Sequence, residues 1–78
     1  MIVKILDSEK KIFNGNAVKV VLPTLDGEIC ILPNHIAIVT LLRNGCIKIF
    51  ESEYSPPELI KVSGGICSFS DNVATFIL

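Results

Sequence analysis

Three side chains within one apolar stretch have the chemistry of an active site: a carboxylate, a thiol and an imidazole. The stretch reads LPTLDGEICILPNHIAIVTLLRNG, residues 22–45, and it holds Glu28, Cys30 and His35, the single histidine of the chain. A histidine titrates near neutral pH and can act as a general base, and a cysteine beside it can act as a nucleophile. This spacing therefore raises the hypothesis of a thiol-dependent site.

The surroundings of these residues argue against catalysis. No glycine-rich anion cradle and no second carboxylate at a motif spacing accompanies Cys30 and His35, although a base of this kind needs a group that orients it. The chain has three cysteines, Cys30, Cys46 and Cys67. No two of them have the Cys-x-x-Cys spacing that is typical of zinc sites. We predict reduced cysteines that fill the core, and no catalytic residue, cofactor or metal ion.

Length and composition restrict the remaining function classes. The chain has 78 residues, half of them hydrophobic, and a mean hydropathy of +0.60. It has no apolar run of about 20 residues that would cross a bilayer, and MIVKILDSEKK does not have the pattern of a signal peptide. The net charge is −1 with no basic block, which disfavours nucleic acid as a partner. The apolar excess predicts a dense core and an interface with another protein subunit.

Short strands must position the candidate side chains. Turn signals such as Asn14-Gly15, Asp26-Gly27 and Asn44-Gly45 separate short runs rich in Val, Ile, Leu and Phe, and ESEYSPPE at 51–58 reads as an exposed loop. This pattern predicts one all-β domain over residues 1–78, a small β-sandwich or flattened barrel of about eight to ten short strands. Placement at every second position predicts these inward residues: Ile5, Val18, Val20, Ile31, Val39, Ile47, Ile49, Val62, Ile66 and Phe69.

The turns around the candidate residues have specific backbone requirements. Gly27 is expected to adopt a positive φ in a hairpin, which leaves Glu28 either on a solvated rim or in contact with a partner. Asn34 follows Pro33 and suits a left-handed turn position. The Ser-Gly-Gly at 63–65 is expected to form a hairpin corner or a bulge.

Two segments, HIAIVTLL and NVATFIL, are apolar on both faces of the strands that they predict. A strand that is apolar on both faces is typical of a sheet in which both faces are covered. The core of a domain this small covers only one face of its sheet, so the second face of these strands predicts a partner.

The segment VVLPTLDGEICILPNHIAIVTLLRNGCIKI resembles the signature region of the epsilon subunit of F-type ATP synthases. That family reads Gly-Glu-hydrophobic-Gly-Ile-hydrophobic-Pro-Gly-His, then Leu-Val/Leu-Thr and Lys-Pro-Gly, and the matching letters here are GEICILPNH, VT and RNG. The flanking FNG and VSGG also agree, so that the resemblance covers essentially all 78 residues. Cys30 and Asn34 stand where the family has glycine.

The resemblance implies a non-catalytic subunit of the central stalk, the rotor of a proton-translocating F-type ATP synthase. In this family the sandwich binds the gamma subunit and rests on the ring of c subunits. These two contacts couple proton flow to ATP synthesis. The implied location is peripheral, at the cytoplasmic face of the bacterial inner membrane. Because the sequence ends at Leu78, without the two-helix C-terminal domain of most epsilon subunits, we expect it not to inhibit ATP hydrolysis.

The resemblance also assigns contacts to the candidate residues. Glu28 matches the family glutamate that faces the polar loops of the c ring, and His35 matches the histidine near the gamma contact. With Asp26, Asn34 and Arg43 they form the predicted interface set, and we expect Glu28 and His35 near one end of the sandwich and at least partly exposed. Two alternatives remain: a small-ligand-binding sandwich with an aromatic-lined pocket, and a thiol-dependent module with a reactive cysteine.

Overall fold

Tight turns divide the chain into short strands. The computed structural model describes residues 1–7 and 11–78. Within these ranges it has nine strands and no helix, and therefore no helix that could cross a bilayer. The strands are β1 Ile2–Leu6, β2 Lys11–Asn16, β3 Lys19–Thr24, β4 Gly27–Ile31, β5 Ile38–Leu42, β6 Gly45–Phe50, β7 Glu58–Val62, β8 Gly65–Ser70 and β9 Val73–Ile77. The all-β prediction is confirmed.

The strands form one continuous sheet that curls on itself. Their order is β2-β1-β9-β8-β5-β3-β6-β7, with β4 paired to β3. The corner of the curl lies at β3, which joins β5 only through the pair Thr24 and Leu42. We call β2-β1-β9-β8-β5 the first layer and β4-β3-β6-β7 the second layer.

The two layers face each other across one hydrophobic core. In β6 the alternation of a half-buried strand is clear, since Ile47 and Ile49 are fully buried whereas Cys46, Lys48 and Phe50 are partly exposed. Seven of the ten predicted inward residues are buried: Ile5, Val20, Ile31, Ile47, Ile49, Val62 and Phe69.

The other three core predictions are wrong. Val18, Val39 and Ile66 are exposed by 39%, 70% and 36%. Val39 and Ile66 point outward from the first layer, because the alternate positions of β5 and β8, such as Leu42 and Cys67, point into the core. Val18 lies just before β3 at the rim, where its neighbour in sequence, Ala17, is the buried residue.

Candidate protein interface

A tight turn between β3 and β4 holds Glu28 in place. The Thr24 side chain is buried, and its Oγ1 donates to the Gly27 carbonyl oxygen at 2.6 Å and accepts from the Asp26 N–H at 3.2 Å. Gly27 has a φ of 112°, as predicted. The buried hydroxyl therefore fixes the turn, and the carboxylates of Asp26 and Glu28 lie exposed beside it.

Arg43 reaches the same end of the molecule. Its N–H donates to the Pro23 carbonyl oxygen at 3.1 Å, and its side chain lines a depression of about 390 Å³ together with Glu28. The structure thus brings together three members of the predicted set, Asp26, Glu28 and Arg43. We call this group of residues, 25–28 and 43–44, the Glu28 end.

Asn34 and His35 lie beyond the opposite end of β4. Pro33 and Asn34 occupy the centre of a turn that is closed by the His35 N–H donating to the Leu32 carbonyl oxygen at 3.1 Å, and the Asn34 φ of 67° suits this position. Because β4 extends by about 3.3 Å per residue, it separates His35 from Glu28. The prediction that the two lie near one end is wrong, whereas the predicted exposure of both is confirmed.

The His35 ring is engaged by its own surroundings. Its Nδ1 lies 2.7 Å from the Ile36 carbonyl oxygen, and the ring meets Phe69 edge-on with centroids 6.0 Å apart and planes at 85°. In the part of the chain that the structure describes, no hydrogen bond joins His35 to Cys30, and no three His, Cys, Asp or Glu side chains are grouped to hold a metal ion. The geometry therefore builds no nucleophile–base pair around this histidine.

The cysteines differ in burial. Cys67 is fully buried, and desolvation raises the pKa of its thiol to about 12. Cys46 is half-buried and Cys30 is exposed. The prediction that all three fill the core is therefore wrong for Cys30 and Cys46. Cys30 shares the outer side of β4 with Glu28 because Ile31 takes the inward position, and Cys46 lies on the outer side of β6 because Ile47 takes the inward position.

Exposed apolar side chains line up on the outside of the first layer. Leu41 of β5 lies directly opposite Ile66 of β8, which lies opposite Ile77 of β9. Leu41 is 53% exposed and Ile77 is 52% exposed, and Val39 lies on the same outer side of β5. We call Leu41, Ile66 and Ile77 the apolar row. Sequence reasoning named no residue of this row as a contact, although the segments that are apolar on both faces indicated such a surface.

The depressions on the described surface have few of the aromatic side chains that the small-ligand alternative predicts. Four of the depressions on the described surface have volumes of about 290 to 530 Å³. Two of these have no aromatic ring in their lining, and two have one each, Phe50 and Phe69. A small-molecule site converges polar groups in an apolar, often aromatic, cleft. The apolar row is therefore a stronger candidate for a functional surface than these depressions.

Comparison with known sequences gives the same family along the whole chain. Residues 1–78 match the model of the beta-sandwich domain of the ATP synthase delta/epsilon chain. The chain is 34% identical over 77 residues to the ATP synthase epsilon chain of Neisseria meningitidis serogroup C (strain 053442), and 35% identical over 77 residues to that of Janthinobacterium sp. (strain Marseille). Each alignment covers 99% of this chain and 55% of the relative, so the chain spans about half the length of these relatives.

Solved structures share the arrangement of strands. The fold is similar to a chain in the cryo-EM structure of the Euglena gracilis mitochondrial ATP synthase, OSCP/F1/c-ring, with a TM-score of 0.88 and 22% identity over 99% of this chain and 49% of that one. A chain in the central stalk/c-ring structure of the Tetrahymena thermophila mitochondrial ATP synthase has a TM-score of 0.76 and 22% identity over 97% and 60% of the two chains. The sequence match over all 78 residues, together with this common fold, shows that the chain belongs to the family of ATP synthase delta/epsilon chain beta-sandwich domains.

Proposed function

We propose that this chain is a non-catalytic central-stalk subunit of a proton-translocating F-type ATP synthase. It docks the gamma subunit onto the c ring and so couples proton flow to ATP synthesis. It is peripheral to the membrane through the complex, at the cytoplasmic face of a bacterial inner membrane. The apolar row is the observation that carries this proposal, because it supplies an outward surface for a second protein on a domain that already has a filled core.

The apolar row binds the gamma subunit in this proposal. Leu41, Ile66 and Ile77 lie on three adjacent strands and form one continuous strip rather than scattered apolar side chains. Such strips on small proteins mark interaction sites. Covering the exposed part of these side chains stabilises a complex by roughly 25 cal/mol for each Å² of apolar surface removed from water.

The Glu28 end faces the c ring in this proposal. It carries the exposed side chains of Asp26, Glu28 and Arg43 on turns that the backbone holds firmly. Mixed charges on a rigid rim suit the polar loops of a partner, where exposed ion pairs determine orientation more than affinity. Asn34 and His35, at the opposite end, are assigned to the edge of the gamma contact.

Binding of purified gamma subunit to the chain tests the first contact. We expect Leu41→Ser and Ile66→Ser each to weaken the affinity about tenfold, since each loses an apolar anchor worth roughly 1–2 kcal/mol. The matched control is Leu59→Ser, which alters an exposed leucine on the outer side of the second layer and should change the affinity less than twofold. Equal losses in all three variants would contradict the assignment of gamma to the apolar row.

Reconstitution of an epsilon-depleted ATP synthase in vesicles tests the second contact. We expect the unmodified chain to restore proton-driven ATP synthesis, and Glu28→Lys to reduce this recovery while its affinity for isolated gamma stays unchanged. Glu58→Lys is the charge-matched control, because Glu58 is exposed on β7 and away from the Glu28 end. Full recovery with Glu28→Lys would contradict the c-ring assignment.

A further inference from the structure

The outer side of the second layer carries lysines among apolar side chains. Lys48 of β6 lies opposite Val21 of β3 and Leu59 of β7, Lys61 lies opposite Cys46, and Lys19 lies opposite Phe50. Directly opposite residues share one side of a sheet, and alternate positions on these strands, such as Val20, Ile47 and Val62, are buried. We call this surface the lysine face, and its residues are Lys19, Val21, Cys46, Lys48, Phe50, Leu59 and Lys61.

The net charge of the residues of the lysine face is opposite in sign to that of the whole chain. The chain has seven basic and eight acidic residues and a net charge of −1, yet the cations of this face are three lysines. Among the described residues neither Lys48 nor Lys61 has a carboxylate partner, and the Lys19 ammonium lies over the Phe50 ring, 4.3 Å from its centroid. Glu28 lies beside this face, since it lines a depression of about 390 Å³ together with Lys48. Because Lys48 and Lys61 form no ion pair among the described residues, both ammonium groups are available to a partner.

Shallow relief accompanies these charges. A depression of about 530 Å³ is lined by Asn44, Gly45, Cys46, Leu59 and Lys61. A second, of about 350 Å³, lies at the Phe50 end and is lined by Val18, Lys19, Leu32, Phe50, Ser52, Glu53 and Ser55. Each depression combines an apolar floor with an ammonium group at its border. The second also has a carboxylate, Glu53, and the depression that Lys48 lines beside this face has Glu28.

We propose that the lysine face docks an acidic amphipathic segment of another protein chain, which places apolar side chains in the depressions and carboxylates against Lys48 and Lys61. The contact lies on the opposite layer from the apolar row, so it goes beyond the function proposed above. Three lysines fall short of the clusters of about four to eight cations that bind anionic membranes. A chain of pI about 5.7 also lacks the basic surface that nucleic-acid binding needs. A protein segment fits both the charge and the apolar floor.

Titration of the isotopically labelled full chain with a synthetic peptide tests the proposal by NMR. The peptide is a helix with leucine along one side and glutamate flanking it. We expect amide shifts confined to β3, β6 and β7, and an affinity that falls at least tenfold in the double variant Lys48→Glu/Lys61→Glu, because two attractive pairs become repulsive. The double variant Lys48→Arg/Lys61→Arg retains the charge and should bind within twofold of the unmodified chain.

Lys4→Glu is the control for a charge reversal elsewhere, because Lys4 is exposed on β1 in the first layer and its change alters the net charge by half as much as the double reversal. It should leave the peptide affinity within twofold. The proposal is overturned if Lys4→Glu weakens binding as much as the double reversal, if the amide shifts map to the apolar row, or if no shifts occur. It is also overturned if phosphatidylglycerol vesicles bind the chain through these lysines while the peptide does not.

Discussion

Asn34 and Asn72 form a reciprocal pair across 38 residues of sequence. The Asn34 backbone N–H donates to the Asn72 Oδ1 at 2.7 Å, and the Asn72 Nδ2 donates to the Asn34 Oδ1 at 3.2 Å. Both residues have a positive φ, 67° and 63°. The pair ties the turn before His35 to the hairpin between β8 and β9, and so holds the imidazole beside Phe69.

Loss of the Asn72 side chain should loosen this connection. We expect Asn72→Gly to lower the free energy of unfolding by about 1–2 kcal/mol, since two exposed hydrogen bonds are lost while glycine keeps the positive φ. Asp71→Gly is the matched control, because Asp71 has a φ of 52° in the same turn and should change stability by less than about 0.5 kcal/mol. Urea unfolding measures both, and equal effects would contradict a role for the pair.

A substitution at Gly65 should be much more harmful than one at Gly15. A Cβ at Gly65 would lie 2.6 Å from the Ile77 carbonyl oxygen, and the residue has a φ of 130°. We expect Gly65→Ala to destabilise by about 3 kcal/mol, from overpacking against backbone and from strain. At Gly15 the nearest atom belongs to the Phe13 side chain at 3.3 Å, which can move, so Gly15→Ala should cost less than about 1 kcal/mol. Thermal unfolding of both variants tests the difference.

Cys67 should make stability fall at alkaline pH. Its thiol has a pKa of about 12 in the fold against 9.0 for an unperturbed thiol, because burial disfavours the thiolate. Between these values the folded state keeps a proton that the unfolded state releases, so the free energy of unfolding decreases as pH rises through this window. Unfolding at about pH 8 and about pH 10 should show a smaller decrease in Cys67→Ala, even though that variant starts from lower stability. An equal decrease in both proteins would argue against this assignment.

The apolar row should drive self-association of the isolated chain. With no partner to cover Leu41, Ile66 and Ile77, two copies can shield them from water. We expect sedimentation velocity to show concentration-dependent association that Leu41→Lys abolishes. Leu59→Lys, which makes the same change on the second layer, should leave it unchanged. A strictly monomeric wild-type chain would contradict this role of the row.

Sequence alternation predicted the core well where one side of a strand is polar. In β6, Lys48 marks the outer side, and Ile47 and Ile49 are buried as predicted. In β5 the same reasoning is wrong, because the outward positions hold Val39 and Leu41, whereas the inward set includes Thr40, which lies opposite the buried Cys67. Hydrophobicity alone favours the outward set there, since an exposed apolar surface has the same sequence pattern as a core.

The sequence predicted the local backbone conformation around the candidate residues but not their arrangement. Local turn chemistry correctly predicted the positive φ of Gly27 and of Asn34. It could not predict that β4 separates Glu28 from His35, or that Arg43 joins Glu28 beside one depression. These relationships depend on strand pairing between distant segments, which short-range spacing does not encode.

The position of β9 has a consequence for synthesis of the chain. The last strand lies between β1 and β8, and it pairs in parallel with the first strand, Ile2 beside Val73 and Leu6 beside Ile77. Until these residues leave the ribosome, β1 and β2 have no described connection to the rest of the sheet. The sheet can therefore close only after β9 has left the ribosome, and contacts of such long sequence separation make its closure slow. A nascent chain halted before β9 would expose the hydrophobic side of β1 and be a target for chaperones.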